Sequence, residues 1–432
     1  FTDDVWFTTN NPGQWLQRTA VTGARVVLLE VDWVSIEPNA PPRGVDPTNP
    51  NGPQYGFAYL DARVRQFAAS GMSVAFLVTD APRWAEAPGG PAALEADGSW
   101  RPNPVAFGQA ATALARRYSG SYPDPLRPGR ALPRVRYYQA WGEANFDVHL
   151  APQWVKQGGR WVSAAPALYR GLLNAFYAGI KQAHPDNLVI TAGVGPYGDL
   201  PGGHRIPPAQ FYRELLCLSG RRLVPQTCPN PAHFDIFASD PYEVGAPTTR
   251  AFNADDVSAP DLGKLTRIVN RAVGVGRALP RRHKRLWVTE FSYESSPPNP
   301  TAVPLAQQAR WLEQAFYIFW RQHVDTVVWY LVSDAIGSYN DVYKSGVYFQ
   351  NGVRKPAYEA YRFPFVLDGS TAWGISPSRG RVSVQRQQGR SWRTLFSVGA
   401  SAGGTFVHRV SARQRGNFRA VVGGESSLVW HR

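Results

Sequence analysis

Cysteine is scarce in this chain: Cys217 and Cys228 are the two in 432 residues. Two thiols eleven residues apart around the Pro-flanked loop LCLSGRRLVPQTCPNP make a poor metal site. They read more simply as a disulfide, which favours an oxidising compartment. Long apolar runs are missing as well. Even Ala315 to Val332 is interrupted by Arg321, Gln322, His323 and Asp325, short of the roughly 18 residues a membrane span requires, so a soluble protein is expected. Eight His are scattered without HExxH or another ligand spacing, and there is no GxSxG or Walker-type loop. Gly193 to Gly195 reads as a tight turn after a strand. No metal centre and no cofactor are implied. Acidic residues are outnumbered, 32 against 46 basic, for a net charge of +14. Such an excess raises the question of a nucleic-acid or polyanion partner. Forty of the basic residues are Arg, however, spread along the whole chain with only short clusters such as Arg281 to Arg285. Dispersed Arg argues for compositional bias, and no nucleic-acid partner is expected. No signal peptide is visible, and a chain starting at Phe1 without an initiator Met is expected to have been trimmed, which suggests a secreted or cell-surface location.

What is present is a large apolar inventory, 44% hydrophobic and 13% aromatic, enough for a barrel of about 250 or more residues plus something smaller. Nearly continuous apolar runs, typical of strands buried on both faces, alternate with helical patterns. The expected strands are DVWFT (4–8), RVVLLEV, Ser73 to Thr79, the run ending at Trp141, LVITAG, HFDIFAS, KRLWVTEF and TVVWYLV. Helices are expected between them, for example over 12–21, 59–70, 104–118, 164–183 and 304–322. Pro38 to Gly56 and His149 to Trp161 read as loops, the second on a rim. Eight strands with intervening helices and right-handed crossovers predict a (β/α)8 TIM barrel over 1–363. From about Phe365 short alternating runs separated by Gly/Ser turns predict a small β-sandwich over 364–432. Trp373, Trp392 or Trp430 there could bind carbohydrate, but packing against the barrel is the preferred role.

Two acids stand at strand ends. Glu143 follows RVRYYQAWGEAN (134–145) and Glu290 lies in KRLWVTEF, 147 residues on. In a barrel of parallel strands those ends meet at one face. A carboxyl pair about 5 to 5.5 Å apart suits retaining glycoside hydrolysis, one group as nucleophile and one as acid/base. An isolated Glu at a strand end is ordinarily just a surface or salt-bridged residue; the order and the flanking aromatics favour function here.

WGEAN resembles the Trp-Asn-Glu-Pro-Asn acid/base motif of clan A glycoside hydrolases, and WVTEF is similar to the strand-seven nucleophile motif of that clan. GARVVLLEVDWVSIEP, YLDARVRQFAASGMSVAFLVTDAPRWA and SGVYFQNGVRKPAYEAY follow the layout of family 39 and family 5 relatives, so the resemblance covers roughly residues 5 to 362. It implies Glu143 as acid/base and Glu290 as nucleophile, acting on a carbohydrate substrate. It further implies that Tyr242 hydrogen-bonds the nucleophile and that Trp329 floors the sugar site, with Asp240, Asn145, Trp33 and Trp84 as further substrate contacts. Two departures stand out. Gly142 occupies the place of the clan's Asn, whose amide binds the sugar 2-hydroxyl, and Leu28 stands where relatives carry an Arg near the nucleophile. Both suggest a sugar whose C2 position is read differently. The alternative is a catalytically silent barrel that binds glycans, or an interaction module on the same fold.

Overall fold

The computed structural model describes residues 1–9, 11–91 and 98–432. Its centre is a curled, all-parallel sheet of β1 (Val26–Asp32), β2 (Ser73–Thr79), β3 (Tyr137–Ala140), β4 (Leu188–Ile190), β5 (Ile236–Ser239), β6 (Arg285–Phe291) and β7 (Val324–Trp329), in that order across the sheet. Helices precede or follow each strand: α1 (Pro12–Val21), α2 (Ala58–Ala69), α3 (Pro104–Arg117), α4 (Ala165–Ala183), α5 (Pro208–Leu215), α6 (Gly263–Gly274), α7 (Leu305–Arg321) and α8 (Pro356–Arg362). Several start as their sequences dictate. Asn103 caps α3 by accepting from the Val105 and Ala106 N–H groups, and Pro104 occupies the first turn, where no N–H is needed. The alternation is that of an α/β barrel.

The first strand is not where the sequence suggested. Val5–Thr8 is a turn of helix, and the sheet is closed instead by residues 1–3. Leu28 N–H donates to Phe1 O (2.8 Å), while Thr2 N–H donates to Trp329 O (3.3 Å), joining β1 to β7. Asp3 ends this short closing segment. Its carboxylate accepts from Val5 N–H (2.7 Å), Val332 N–H (2.7 Å) and Ser333 N–H (2.9 Å), which turns the chain into the helix and pins the end of β7. Three residues are too few to show a period, whereas the apolar Val5, Trp6 and Phe7 imitate a strand.

Inside the barrel, Leu28, Ala75, Ile190, Ile236, Ala238, Trp287 and Val328 pack together as an apolar plug. A larger core between sheet and helices holds the outward-facing residues of the same strands. The segment read as a rim loop contains a hairpin, Trp154–Gln157 with Arg160–Ser163. Cys217 and Cys228 form a disulfide, with Cα atoms 5.8 Å apart. No helix among the described residues is long and apolar enough to cross a membrane.

After α8 the chain forms two antiparallel sheets. One joins Phe365–Asp368, Thr371–Ile375 and Thr405–Arg409; the other joins Ser391–Ala400, Gly380–Gln388 and Asn417–Val422. Their side chains share one core with Tyr317 of α7. Trp373 is buried against Tyr317 (5.7 Å between rings) and Trp320 (6.0 Å), and Trp430 lies under the Arg310 guanidinium at 4.3 Å. Trp392 is covered by Arg419 at 4.3 Å. Trp373 and Trp430 are thus committed to packing, while Trp392 stays half-exposed.

Candidate active site at the barrel mouth

The strand ends carry a concentration of backbone strain. Asp80, Trp141 and Glu143, just past β2 and β3, all have positive φ (55°, 75° and 27°), a region that residues with a side chain adopt only when the surroundings enforce it. Trp141 is held by its N–H to Val78 O (2.9 Å) and by its indole N–H to His149 O (2.8 Å). Gly142 bridges to Gly193 on the next strand. Asn145 is fully buried. Its amide donates to Gly195 O (3.2 Å) and Ile206 O (3.0 Å), and its oxygen accepts from Gly195 N–H (2.8 Å). With both N–H groups engaged and the side chain out of reach, Asn145 is a brace for the Glu143 loop and not the substrate contact the sequence suggested.

Glu143 and Glu290 converge. The Glu143 charge acts directly on the Glu290 carboxyl, whose pKa is pushed up to about 8, first by burial and then by that charge, with Glu30 adding to it. Two features pull the other way: the Tyr242 hydroxyl, which donates to Glu290 Oε1 at 2.9 Å, and the nearby His149. Tyr242 is thus where the sequence expected it, stacked on Phe291 with 5.8 Å between rings. Asp240 lies buried beneath the pair and accepts from the Thr289 hydroxyl (2.7 Å). Burial, then the charges of Glu290 and Glu143, raise its pKa well above the usual carboxylate range. Both glycines of the Gly193–Gly195 turn are spatially required: a Cβ at 193 would lie 2.0 Å from Asp240 Oδ2, and one at 195 would lie 2.3 Å from the Phe146 ring and 2.7 Å from Glu143 Oε1.

Two aromatic expectations, Trp329 and Trp33, need correction. Trp329 is fully buried, donates its indole N–H to Ser345 O (3.1 Å) and packs edge-on against Phe291 and Phe316. It therefore faces the helices, and its successor Tyr330 faces the cleft, as the two-residue alternation of a strand demands. Trp33 is also fully buried, with its N–H on Glu37 Oε2 (2.7 Å) and its ring among Trp84 and Phe107. Trp84 is half-buried at the rim, tied to Glu37 O (3.2 Å).

The sequence reading passed over His149, whose Nε2 is 3.4 Å from Glu143 Oε2. Burial opposes its charged form, but the hydrogen bond and charge of Glu143, with Asp80 and Glu30, raise its pKa overall. Glu30, Asp32 and Asp80 form the one grouping among the described residues whose carboxylate oxygens, all within 4.8 Å of one another, could hold a metal ion. Burial and the charges of Asp32 and Asp80 push Glu30 up to about 7. A cavity of about 810 Å³ opens beside the acid pair without enclosing it. Glu30, Tyr330 and Tyr343 line it and connect the two, since burial and then the Glu290 charge raise the pKa of both tyrosines.

No protein-family model matches this chain, and no curated protein sequence does. Solved structures do. The chain shares the fold of family 39 glycoside hydrolases. A family 39 glycoside hydrolase from the gut symbiont Bacteroides cellulosilyticus WH2 superposes with a TM-score of 0.55 at 16% identity, covering 93% of this chain and 76% of that one. A monomeric β-xylosidase from Caulobacter crescentus CB15 gives 0.54 at 12% identity, covering 95% and 93%. A family 39 enzyme from Xanthomonas axonopodis pv. citri gives 0.52 at 12%, covering 95% and 91%. At these identities the likeness is one of fold. The family 39 fold accounts for strand ends that converge on one mouth; the chemistry there has to be argued from this chain's own side chains.

Proposed function

We propose that the protein is a retaining glycoside hydrolase with Glu290 as nucleophile and Glu143 as acid/base. The observation that carries this reading is the meeting of the two carboxyls, from the ends of β3 and β6, with the Tyr242 hydroxyl 2.9 Å from Glu290 Oε1. In the first step Glu143 gives its proton to the glycosidic oxygen while ionised Glu290 attacks the anomeric carbon, forming a glycosyl ester and releasing the aglycone. In the second, Glu143 takes a proton from water, which opens the ester and returns the sugar with its original configuration. Tyr242 holds the Glu290 oxygen that is not attacking, and His149 orients the Glu143 carboxyl. Tyr330 supplies the ring against which a sugar's C–H face packs.

In this reading the substrate is a carbohydrate, the enzyme is secreted, and residues 364–432 are a small β-sandwich that packs on a catalytic barrel of residues 1–363. The test is the stereochemistry of rescue. Glu290→Gly with external azide should yield a glycosyl azide of inverted configuration, whereas removal of Glu143 with azide should give the retained one. Wild-type product of inverted configuration, followed by NMR on a panel of pyranosides and furanosides in both anomers, would overturn the double displacement.

A further inference from the structure

The mouth of the barrel has the opposite charge to the molecule around it. The chain is +14 overall, yet the cavity beside the acid pair is lined by five carboxyls, those of Asp3, Asp4, Glu30, Asp32 and Asp341, and by no Lys or Arg. A cleft of one sign concentrates ligands of the other and leaves neutral competitors facing unpaired charge. The remaining walls include the rings of Phe7, Tyr59, Tyr330 and Tyr343, which attract cations as well as sugar C–H groups.

A second, independent feature locates where a cation would sit. Strand register sets Glu30, Leu77 and Gln139 side by side on β1, β2 and β3. All three point inward, because Leu28, Ala75 and Tyr137, two residues earlier on each strand, line the barrel interior. Gln139 is 1% exposed and its Oε1 has no partner, while its Nε2 reaches Trp141 O at 3.4 Å, so the amide lies just below Gly142. A buried carbonyl oxygen without a donor is costly to maintain unless something else supplies one. Gly142 has no side chain to do so: a Cβ there would meet nothing nearer than the Leu77 methyls at 3.8 Å. Register thus sets a carboxylate on one side of Leu77 and an unpartnered amide oxygen on the other, their backbones each about one strand spacing, ~4.8 Å, away, while Gly142 leaves the space of a side chain open above Leu77. A primary ammonium is small, cationic and carries three donors, which matches that space.

We infer that the protein acts on glycosides of unacetylated amino sugars, seating the sugar ammonium over Leu77 between Glu30 and Gln139. An N-acetyl group in the same place would be bulkier and bring no charge to Glu30, and a hydroxyl would leave the carboxylate unpaired. The inference rests on the hydrolase reading for turnover but not for binding, so the two are measured separately.

Hydrolysis is compared for matched aryl glycosides bearing a free 2-amine, a 2-acetamide or a 2-hydroxyl, in gluco and galacto forms and both anomers. Binding of de-acetylated and acetylated glucosamine and galactosamine oligomers is measured by calorimetry on Glu290→Gln. We expect the amine to be favoured by at least about tenfold in kcat/KM, and the favour to fall to about threefold or less in Glu30→Gln and partly in Asp32→Asn. The calorimetric preference should disappear in Glu30→Gln, Glu290→Gln. Equal or better hydrolysis of the acetamide or hydroxyl compounds overturns the inference and leaves the hydrolase reading standing. Amine-selective binding without hydrolysis of any compound upholds the ammonium site and overturns the hydrolase reading. Absence of both, or a requirement for a divalent ion found bound at Glu30, Asp32 and Asp80 by elemental analysis, overturns the inference.

Discussion

Two layers of the same barrel, one above the other, differ in almost every property. The lower is Leu28, Ala75, Ile190, Ala238, Trp287 and Val328, without a polar side chain. Two residues further along the same strands stand Glu30, Leu77, Ala192, Asp240, Thr289 and Tyr330, polar but for Leu77 and Ala192. The lower layer excludes water and holds the strands together. The upper inherits a low-dielectric floor from it, and this is why Asp240 and Glu290 are so hard to ionise. Chemistry here depends on a step of two residues along each strand, with the fold otherwise unchanged.

Exchanging the roles of the layers is the sharpest way to break this comparison. Glu143→Gln or Glu290→Gln should lower turnover by about 10³-fold or more while thermal unfolding stays cooperative and no less stable. Trp287→Ala, one layer down, should instead lower stability by about 3–5 kcal/mol with near-normal activity per folded molecule. Paired calorimetric scans and active-site titration would distinguish the two, and an upper-layer variant that unfolds would erase the distinction. Next in size, Tyr242→Phe should reduce kcat/KM by about 10²-fold and move the ascending limb of its pH profile, set by ionisation of Glu290, further above neutrality, because the lost bond favoured the carboxylate. A limb that stays in place would detach Tyr242 from Glu290.

Smaller still, Tyr330→Ala should weaken kcat/KM by about tenfold, whereas Trp329→Phe should alter it little and lower the melting temperature instead, which tests which of the two rings meets sugar. The least effect concerns pH and stability. Asp3 is pushed up to about 7 and Glu290 to about 8, both above their unfolded values, chiefly by burial. Between roughly pH 4.5 and 8 the folded state therefore holds protons that the unfolded state has released, and stability falls as pH rises through that window. A melting temperature a few degrees higher near pH 5 than near pH 8, with a shallower slope in Glu290→Gln, is the expected result.

Much of this could be read from the chain itself, for identifiable reasons. Apolar runs buried on both faces marked β1, β2 and β6, and Glu143, Glu290 and Tyr242 stand at strand ends where the motifs pointed. The same runs concealed phase. In TVVWYLV every position after Thr326 is apolar or aromatic, so nothing tells Trp329 from Tyr330, and the larger ring, which the resemblance places in the cleft, belongs to the core. Trp33 opens a single helical turn and Asn145 lies in a loop, and their orientations follow from contacts with Glu37 and with the Gly195 segment. His149 and the acids around Glu30 carry no local signal at all, because their meaning comes from being brought together. Gly193 and Gly195 read in the sequence as a tight turn only, and in the structure glycine there also makes room for Asp240 and Glu143.

The wall between barrel and C-terminal sheets has a further consequence. Helix α7 connects the strand bearing Glu290 to the strand leading to Tyr330, and it is this helix that presents Tyr317 and Trp320 to Trp373. A chain cut after Phe363 would leave those rings, with Phe363 itself, as an aromatic scar on the outside of the barrel. The smaller part thus acts as a cover for the larger, which without it would be expected to adhere to its own copies.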